Sequence, residues 1–382
     1  MTIEIRKAGF INKGAELMLY AIIEKIKERY PDAKLVMAPT DINGSQPFHK
    51  LVEVGFYPKA WFWKFGIQWG NFLAIVPTIL RRMYGVVLDK EIDIVIDAAG
   101  FSYSDQWGIG SSKELANSSK RWKKNKVKTI LLPQAFGPFQ NKTNIRSTKK
   151  WAKNIDLIFP REEDSYTYLT NLVGKQEKIK LFPDFTNLIS GSLPSSYNKE
   201  NKRIAIIPNY RMIDKTSKEE SEAYLPFMIY CAQHLKDKNC KPFILVHEGA
   251  NDLMLANKIS DAVGGIPIIK ETNPLYIKGI IGSCEATIGS RFHGLVSALS
   301  QGIPSLSTGW SHKYYRLFED YDFIDGAVSI LSSKEEIDKK LELITNEKNR
   351  QDIQKKLKIN SEILKEKSQE MWNIVFDLIE GK

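Results

Sequence analysis

The chain has 382 residues, 43% hydrophobic and 26% charged, which suits two or three soluble units of about 150 residues each and excludes a disordered or fibrous protein. Its three cysteines, Cys231, Cys240 and Cys284, are widely spaced and form no C-x-x-C pair, so a disulfide framework and a zinc site are both excluded and a reducing compartment is expected. A net charge of +10 favours anionic partners: nucleic acid, an anionic membrane face or phosphorylated small molecules.

Taken in order, "TIEIRK" reads as a strand, and no signal-peptide apolar run precedes or includes it, so a cytoplasmic protein is expected. "AELMLYAIIEKIKERY" places Leu19, Ile22 and Ile26 along one helical face. Further strands are predicted at "AKLVMAP", "IDIVIDA", "VKTILLP" and "IDLIFP". Between the first two of these, Val54–Gly85 holds three Trp (Trp61, Trp63, Trp69), four Phe, two Tyr, four basic residues and no acid. Its apolar run, broken by Pro77, falls short of the ~20 residues that cross a bilayer. Aromatic rings mixed with Lys and Arg suit the headgroup level of a membrane; an aromatic insertion packed in the core is the other reading. "KRWKKNKVK" at 120–128 carries six basic residues, either a solvated helix end or a binding patch. No RNP, zinc-finger or basic-zipper signature accompanies it, so nucleic acid is not expected as a partner.

"SGSLPSSYNKENK" (190–202) has the composition of a linker. A second alternating series follows, with strands at "RIAIIP", "KPFILVH", "IPIIK", "EATIGS" and "IPSLST" and helices near 219–237, 251–262, 274–282 and 291–301. Asn273-Pro274 is an N-cap with Pro at the first helical position, and Ser333-x-x-Glu336 is a capping box opening charged C-terminal helices. This alternation predicts an α/β protein of two doubly wound, Rossmann-type domains facing a cleft. The expected boundaries are 1–190, with the aromatic and basic insertion at 54–86, 191–332, and helices over 333–382 that could cross back.

In open α/β sheets the ligand lies at the carboxyl ends of the strands, and polar residues gather there. Asn12, Lys13 and Gly14 follow the first strand, and Asp105 lies in "AAGFSYSDQWG". Arg161 follows "IFP", Arg211 lies in "NYR", Glu248 in "HEG", and Lys313 in "GWSHKYY". "GSRFHG" is the densest: Gly289 allows a turn, Ser290 can cap, Arg291 offers a planar fork to phosphate or carboxylate, and His293 a proton donor near neutrality. A helix start of this kind is a ready anion site; a capping Arg beside a core His is the plainer reading. There is no G-x-x-x-x-G-K-[ST] loop, H-E-x-x-H or metal-like His spacing, so neither a metal nor a cofactor is expected.

"NKGAELML", "DAAGFSYSDQWG", "LLPQAFGPF", "PREEDS", "PNYR", "VHEG" and "GSRFHGLVSALSQGIPSLSTGWSHKY" together resemble the polysaccharide pyruvyl transferase family over roughly residues 5–325. The resemblance implies a GT-B-like fold, with an acceptor side in the first domain and a phosphoenolpyruvate side in the second. It implies transfer of pyruvate from phosphoenolpyruvate to a sugar of a surface polysaccharide or its polyprenyl-diphosphate-linked precursor, as a cyclic ketal. Arg291 and His293 match the family's donor-site Arg and His, and Arg161 its R-[DE]-x-x-S arginine; "DAAGF" departs from the Gly-rich turn of many members. Arg291, Arg161, Lys313 and Arg211 suit a donor carrying a carboxylate and a phosphate. His293 is the candidate general acid, with Asp105 or Glu248 as base. A polyprenyl-linked acceptor would place the enzyme peripherally on the inner face of the cell membrane. The alternative is a GT-B nucleotide-sugar glycosyltransferase, whose E-x7-E pair is missing here because Gly279 stands eight residues after Glu271.

Overall fold

Runs of β-branched residues alternating with amphipathic helices sort the chain into two parallel sheets. The computed structural model describes residues 1–40, 48–64, 67–200, 202–309 and 312–382. Two units result, Met1–Asp184 together with Ser368–Lys382, and Phe185–Lys367.

The first unit runs β1 (Thr2–Arg6), α1 (Lys13–Arg29), β2 (Lys34–Met37), α2 (Phe48–Glu53), β3 (Tyr57–Pro58), the antiparallel pair β4 (Trp63–Lys64) and β5 (Ile67–Gln68), α3 (Thr78–Met83), β6 (Ile94–Asp97), α4 (Gly110–Lys124), β7 (Lys128–Gln134), α5 (Lys142–Asn154), β8 (Leu157–Pro160) and α6 (Glu163–Val173). Its six-stranded sheet has the order β3-β2-β1-β6-β7-β8, every pair parallel. Helices cover both faces, which is why β6 and β7 are buried almost end to end. β1 breaks the apolar rule. Its Glu4 meets the buried Lys59 ammonium at 2.6 Å, and Lys59 meets Asp89 at 2.7 Å. Arg6 meets Glu114 at 2.5 Å and lies 4.7 Å over the Trp122 ring. The basic run at 120–128 is therefore the end of α4, anchored by buried Trp122 and by Arg121 on Asp89.

The second unit runs β9 (Ile204–Ile207), α7 (Arg211–Asp214), α8 (Lys218–Asp237), β10 (Pro242–Val246), α9 (Gly249–Ala262), β11 (Ile268–Lys270), α10 (Pro274–Gly282), β12 (Ala286–Gly289), α11 (Phe292–Leu299), β13 (Ser305–Ser307), α12 (His312–Asp320), α13 (Lys334–Thr345) and α14 (Glu347–Glu380). Its five strands are parallel in the order β11-β10-β9-β12-β13. The strand order reverses at β9/β12, as it does at β1/β6 in the first unit, and such switch points are where doubly wound sheets open a crevice. From Ser368 onward α14 belongs to the first unit, where Met371, Trp372 and Val375 are buried.

The described part of the linker-like stretch, 190–200, lies in the second unit, and its start docks on α10. Ser192 donates its N–H to the Leu275 carbonyl at 3.1 Å. A Cβ on Gly191 would stand 2.4 Å from the Gly279 nitrogen, so two glycines let the backbones touch. Composition alone does not reveal such a contact.

Candidate active site

β12 is fully buried and ends at Gly289, where a Cβ would crowd Ile207 at 3.2 Å. The chain stays extended through Arg291, the N-cap residue of α11 (φ −96°, ψ 116°). Small residues, Gly294, Ser297 and Ala298, let this helix sink into the unit with its open N–H groups at the carboxyl edge of the sheet.

Ser290 does not cap α11; no side chain does. It is completely buried, its hydroxyl 2.9 Å from the Tyr224 hydroxyl and 2.5 Å from that of Thr308. Its carbonyl accepts from the Asn209 amide at 2.7 Å and the Tyr314 hydroxyl at 3.0 Å. Gly309 makes room for that tyrosine, since a Cβ there would lie 1.9 Å from Tyr314 Cγ. The expected cap is a buried peg that ties β12, β13 and the loop after β9 together, because a hydroxyl buried among other hydroxyls is held by them.

The Arg291 guanidinium is gripped by the first turn of α9. Nε donates to Asp252 Oδ2 at 2.9 Å, Nη2 to both Asp252 oxygens at 2.6 Å, and Nη1 to Glu248. Asp252 also accepts the Tyr210 N–H at 2.9 Å. Burial opposes the charge on Arg291, but Asp252 and then Glu248 outweigh it and hold the group firmly protonated. The fork expected to face a ligand is thus engaged by carboxylates at all three of its nitrogens. Asp252 was not singled out from the sequence; its signal was the spacing Glu248-x-x-x-Asp252, one helical turn, which puts both carboxylates on one face.

His293 follows in the first turn of α11, half-buried, its ring 5.4 Å from that of Phe292 at an edge-on 84°. The Lys313 ammonium lies 5.3 Å over the same Phe292 ring. His247, missed as a scattered histidine, has its ring carbon 3.6 Å from where a Gly294 Cβ would stand. Arg211 opens α7, partly exposed, and pairs with Asp214 at 2.5 Å. Trp310 and Ser311 of "GWSHKYY" lie outside the described residues.

The first unit's candidates are held in other ways. Asn12 caps α1 by accepting the Ala15 N–H at 3.0 Å, Lys13 turns onto Glu16 at 2.5 Å, and Gly14 is buried beside them. Asp105 clamps the start of α5, accepting the Asn144 amide at 2.6 Å, the Asn141 N–H at 2.8 Å and the Gln140 N–H. Burial would raise its pKa, but the bonds from Asn144, Gln140 and Asn141 prevail and keep it below the usual value. That suits an anchor better than a base. Arg161 is buried on Asp184 at 2.9 Å, while its neighbour Glu162 caps α6 and Ser165 accepts the Phe136 N–H at 2.7 Å. A cluster the sequence did not announce closes the β1 and β6 ends. Lys7, in the left-handed region at φ 60°, donates to Ser111 at 3.2 Å, and Tyr103 donates to buried Asp97 at 2.8 Å. Burial pushes the Lys7 ammonium down and the Asp97 carboxyl up.

The aromatic segment is not a core insertion. Phe62, Trp69, Phe72, Leu73, Ile75, Ile79, Leu80, Met83 and Tyr84 are exposed, Ile75 at 81% and Met83 at 73%. Two of its four basic residues are spent internally: Lys59 in the ion pairs above and Arg81 on Glu91 at 3.0 Å. Lys64 and Arg82 remain at the surface; the Trp63 side chain lies outside the described ones. Among the described residues no helix is long and apolar enough to cross a membrane.

Two parallel Rossmann-type sheets define an α/β protein of GT-B-like fold, and solved structures of that fold are similar. A Listeria monocytogenes protein ascribed UDP-N-acetylglucosamine 2-epimerase activity matches over 100% of this chain and 97% of its own, at 12% identity and TM-score 0.64. The Neisseria meningitidis UDP-GlcNAc 2-epimerase bound to UDP-GlcNAc matches over 97% and 100%, at 10% and 0.59. Anabaena HepE in complex with UDP matches over 100% and 99%, at 10% and 0.56. At such identities the likeness concerns the fold alone. No curated protein sequence matches significantly. The sequence matches the family described as polysaccharide pyruvyl transferase over residues 12–312, and the chain belongs to that family.

Proposed function

We propose that the protein transfers the pyruvyl group of phosphoenolpyruvate to two hydroxyls of a sugar in a surface polysaccharide or its lipid-linked precursor, closing a cyclic ketal and releasing phosphate. The observation that carries this reading is the start of α11. There, at the carboxyl end of a switch-point strand and inside the family match, Arg291 is the N-cap residue of α11, His293 stands in its first turn, and the Lys313 ammonium lies over the Phe292 ring of that turn. A donor with a carboxylate and a phosphate suits that field.

In this reading His293 gives a proton to the methylene carbon, and C2 becomes an oxocarbenium-like centre that the first hydroxyl attacks. The proton lost by that hydroxyl balances the one His293 gave. The second hydroxyl then displaces phosphate, which leaves with the remaining proton. Arg291 and Lys313 offset charge on the donor, with Arg211 at the rim. Asp105, bound up with the 140–144 loop, shapes the first unit. Arg161 and the Asn12–Gly14 turn are assigned to supporting the substrate sites.

A lipid-linked acceptor would sit at an anionic membrane face, and the exposed apolar side chains between Phe62 and Tyr84 support contact with one. The deciding experiment is phosphate release from phosphoenolpyruvate across a panel of soluble and lipid-linked sugars. A UDP-sugar arm is included because the Neisseria and Anabaena structures hold UDP-GlcNAc and UDP. Phosphate release with none of the acceptors, alongside turnover of a UDP-sugar, would replace pyruvyl transfer by nucleotide-sugar chemistry.

A further inference from the structure

We infer that the cavity at the carboxyl end of β13 is a binding site for a neutral sugar ring, and that the sugar to be pyruvylated docks there. The site stands on the cavity itself; the acceptor role of its sugar rests on the pyruvyl-transfer reading above. An acceptor sugar in the second unit departs from the acceptor side expected in the first.

The cavity measures about 280 Å³, at the small end of the roughly 300–1,000 Å³ of ligand sites, which suits one ring better than an extended chain. Its described lining holds no Lys, Arg or His and one carboxylate, Glu220, so it does not select an anion. Ser307 and Thr308 instead share the lining with Met212, Ile330 and the half-exposed Tyr315. A pyranose carries the matching mixture, an apolar C–H face and a rim of hydroxyls. Two of the lining hydroxyls have bonding capacity left. That of Ser307 is buried and has no hydrogen-bond partner among the described residues. Thr308 ends a buried chain. The Asn209 N–H donates to the Tyr224 hydroxyl at 3.0 Å, which lies 2.9 Å from Ser290 Oγ, and Ser290 Oγ lies 2.5 Å from Thr308 Oγ1. Protons that run from Tyr224 to Ser290 to Thr308 each find an acceptor, whereas the reverse order strands the buried phenol proton. The Thr308 proton is then the one left for a ligand oxygen. Tyr314 joins the cavity to the proposed donor residues: it lines the cavity, its ring packs edge-on to Phe292 at 5.7 Å, and its centroid lies 5.4 Å from the Lys313 ammonium. A sugar held there neighbours the start of α11 within one unit.

The test is saturation-transfer NMR of the full chain with the methyl glycosides of glucose, galactose, mannose and N-acetylglucosamine, and with uridine, for the parent, Ser307→Ala and Tyr315→Ala. Ser307→Ala deletes an unpaired hydroxyl and Tyr315 is 51% exposed, so both variants should melt with the parent. At least one glycoside should bind the parent, and each variant should weaken it by about five- to tenfold, the size of one hydrogen bond or one ring contact. Where that glycoside accepts pyruvate, its KM should rise in step while the KM of phosphoenolpyruvate holds. Binding of no glycoside, binding of uridine alone, or equal glycoside binding by the folded variants overturns the inference. Glycoside binding that both variants weaken, without phosphate release from phosphoenolpyruvate on any acceptor, would leave the sugar site standing and sink pyruvyl transfer, and the acceptor role with it.

Discussion

Asp252 and Arg291 meet through three hydrogen bonds of 2.6 to 2.9 Å, one from Nε and two from Nη2. That side-on grip uses the planar geometry of guanidinium and leaves Nη1 as the edge shared with Glu248. A lysine has neither the plane nor the second nitrogen. Arg291→Lys should therefore lose on the order of 10²-fold in kcat/KM for pyruvyl transfer. A Lys variant within about twofold of the parent would remove Arg291 from the donor site.

His293 stands in the first turn of α11, its ring edge-on to that of Phe292. In the proposed role of general acid it would contribute to turnover more than to affinity. His293→Ala should retain donor binding by calorimetry while turnover drops by about 10²–10⁴-fold. A parallel fall in binding and turnover would make the imidazole an anion ligand.

Acid should unfold the first unit through its buried ion pairs. Burial works against ionisation of Asp89 and Glu114, but Lys59 and Arg121 on the first, and Arg6 and Lys7 on the second, prevail and lower both carboxyls to about 2. Because the folded values lie below the unfolded ones of about 4, the stability they add is complete above about pH 4 and is lost as pH falls toward 2. Thermal melts between pH 7 and pH 2 should show this. Glu114→Gln should lower the melting temperature at pH 7 and flatten its fall below about pH 4; a variant that follows the parent curve would deny Glu114 this role.

Membrane attachment should depend on apolar side chains more than on charge. Each of Ile75, Ile79 and Met83 is worth about 1.5–3 kcal/mol if fully withdrawn from water, against about 1 kcal/mol for each basic residue near an anionic surface. With Lys59 and Arg81 engaged in the fold, the apolar contribution dominates. Ile75→Ser, Ile79→Ser and Met83→Ser combined should release the protein from anionic vesicles at all salt concentrations, and lower activity on a lipid-linked acceptor while sparing a short soluble one. Equal sedimentation of parent and variant with vesicles would exclude this face as the contact.

The α/β alternation was legible because each strand and helix states its own burial: β-branched runs such as "IDIVID" and a 3.6-residue stripe such as Leu19, Ile22 and Ile26 are local signals that packing then honours. The caps at Asn273 and Ser333 were readable for the same reason, each being a bond within one turn. The start of α11 stood out as a cluster of Arg and His in one short stretch. What those side chains touch was decided elsewhere. Asp252 comes from a helix 39 residues away, and the Tyr224 that holds Ser290 from one 66 residues away. Separation in sequence likewise hid the burial of Lys59 on Glu4, 55 residues away, which composition counts as surface charge. A residue's type and local period fix the element it joins, but the partner of a polar side chain is chosen when strands from distant parts of the chain come into register, and only the tertiary structure contains that choice.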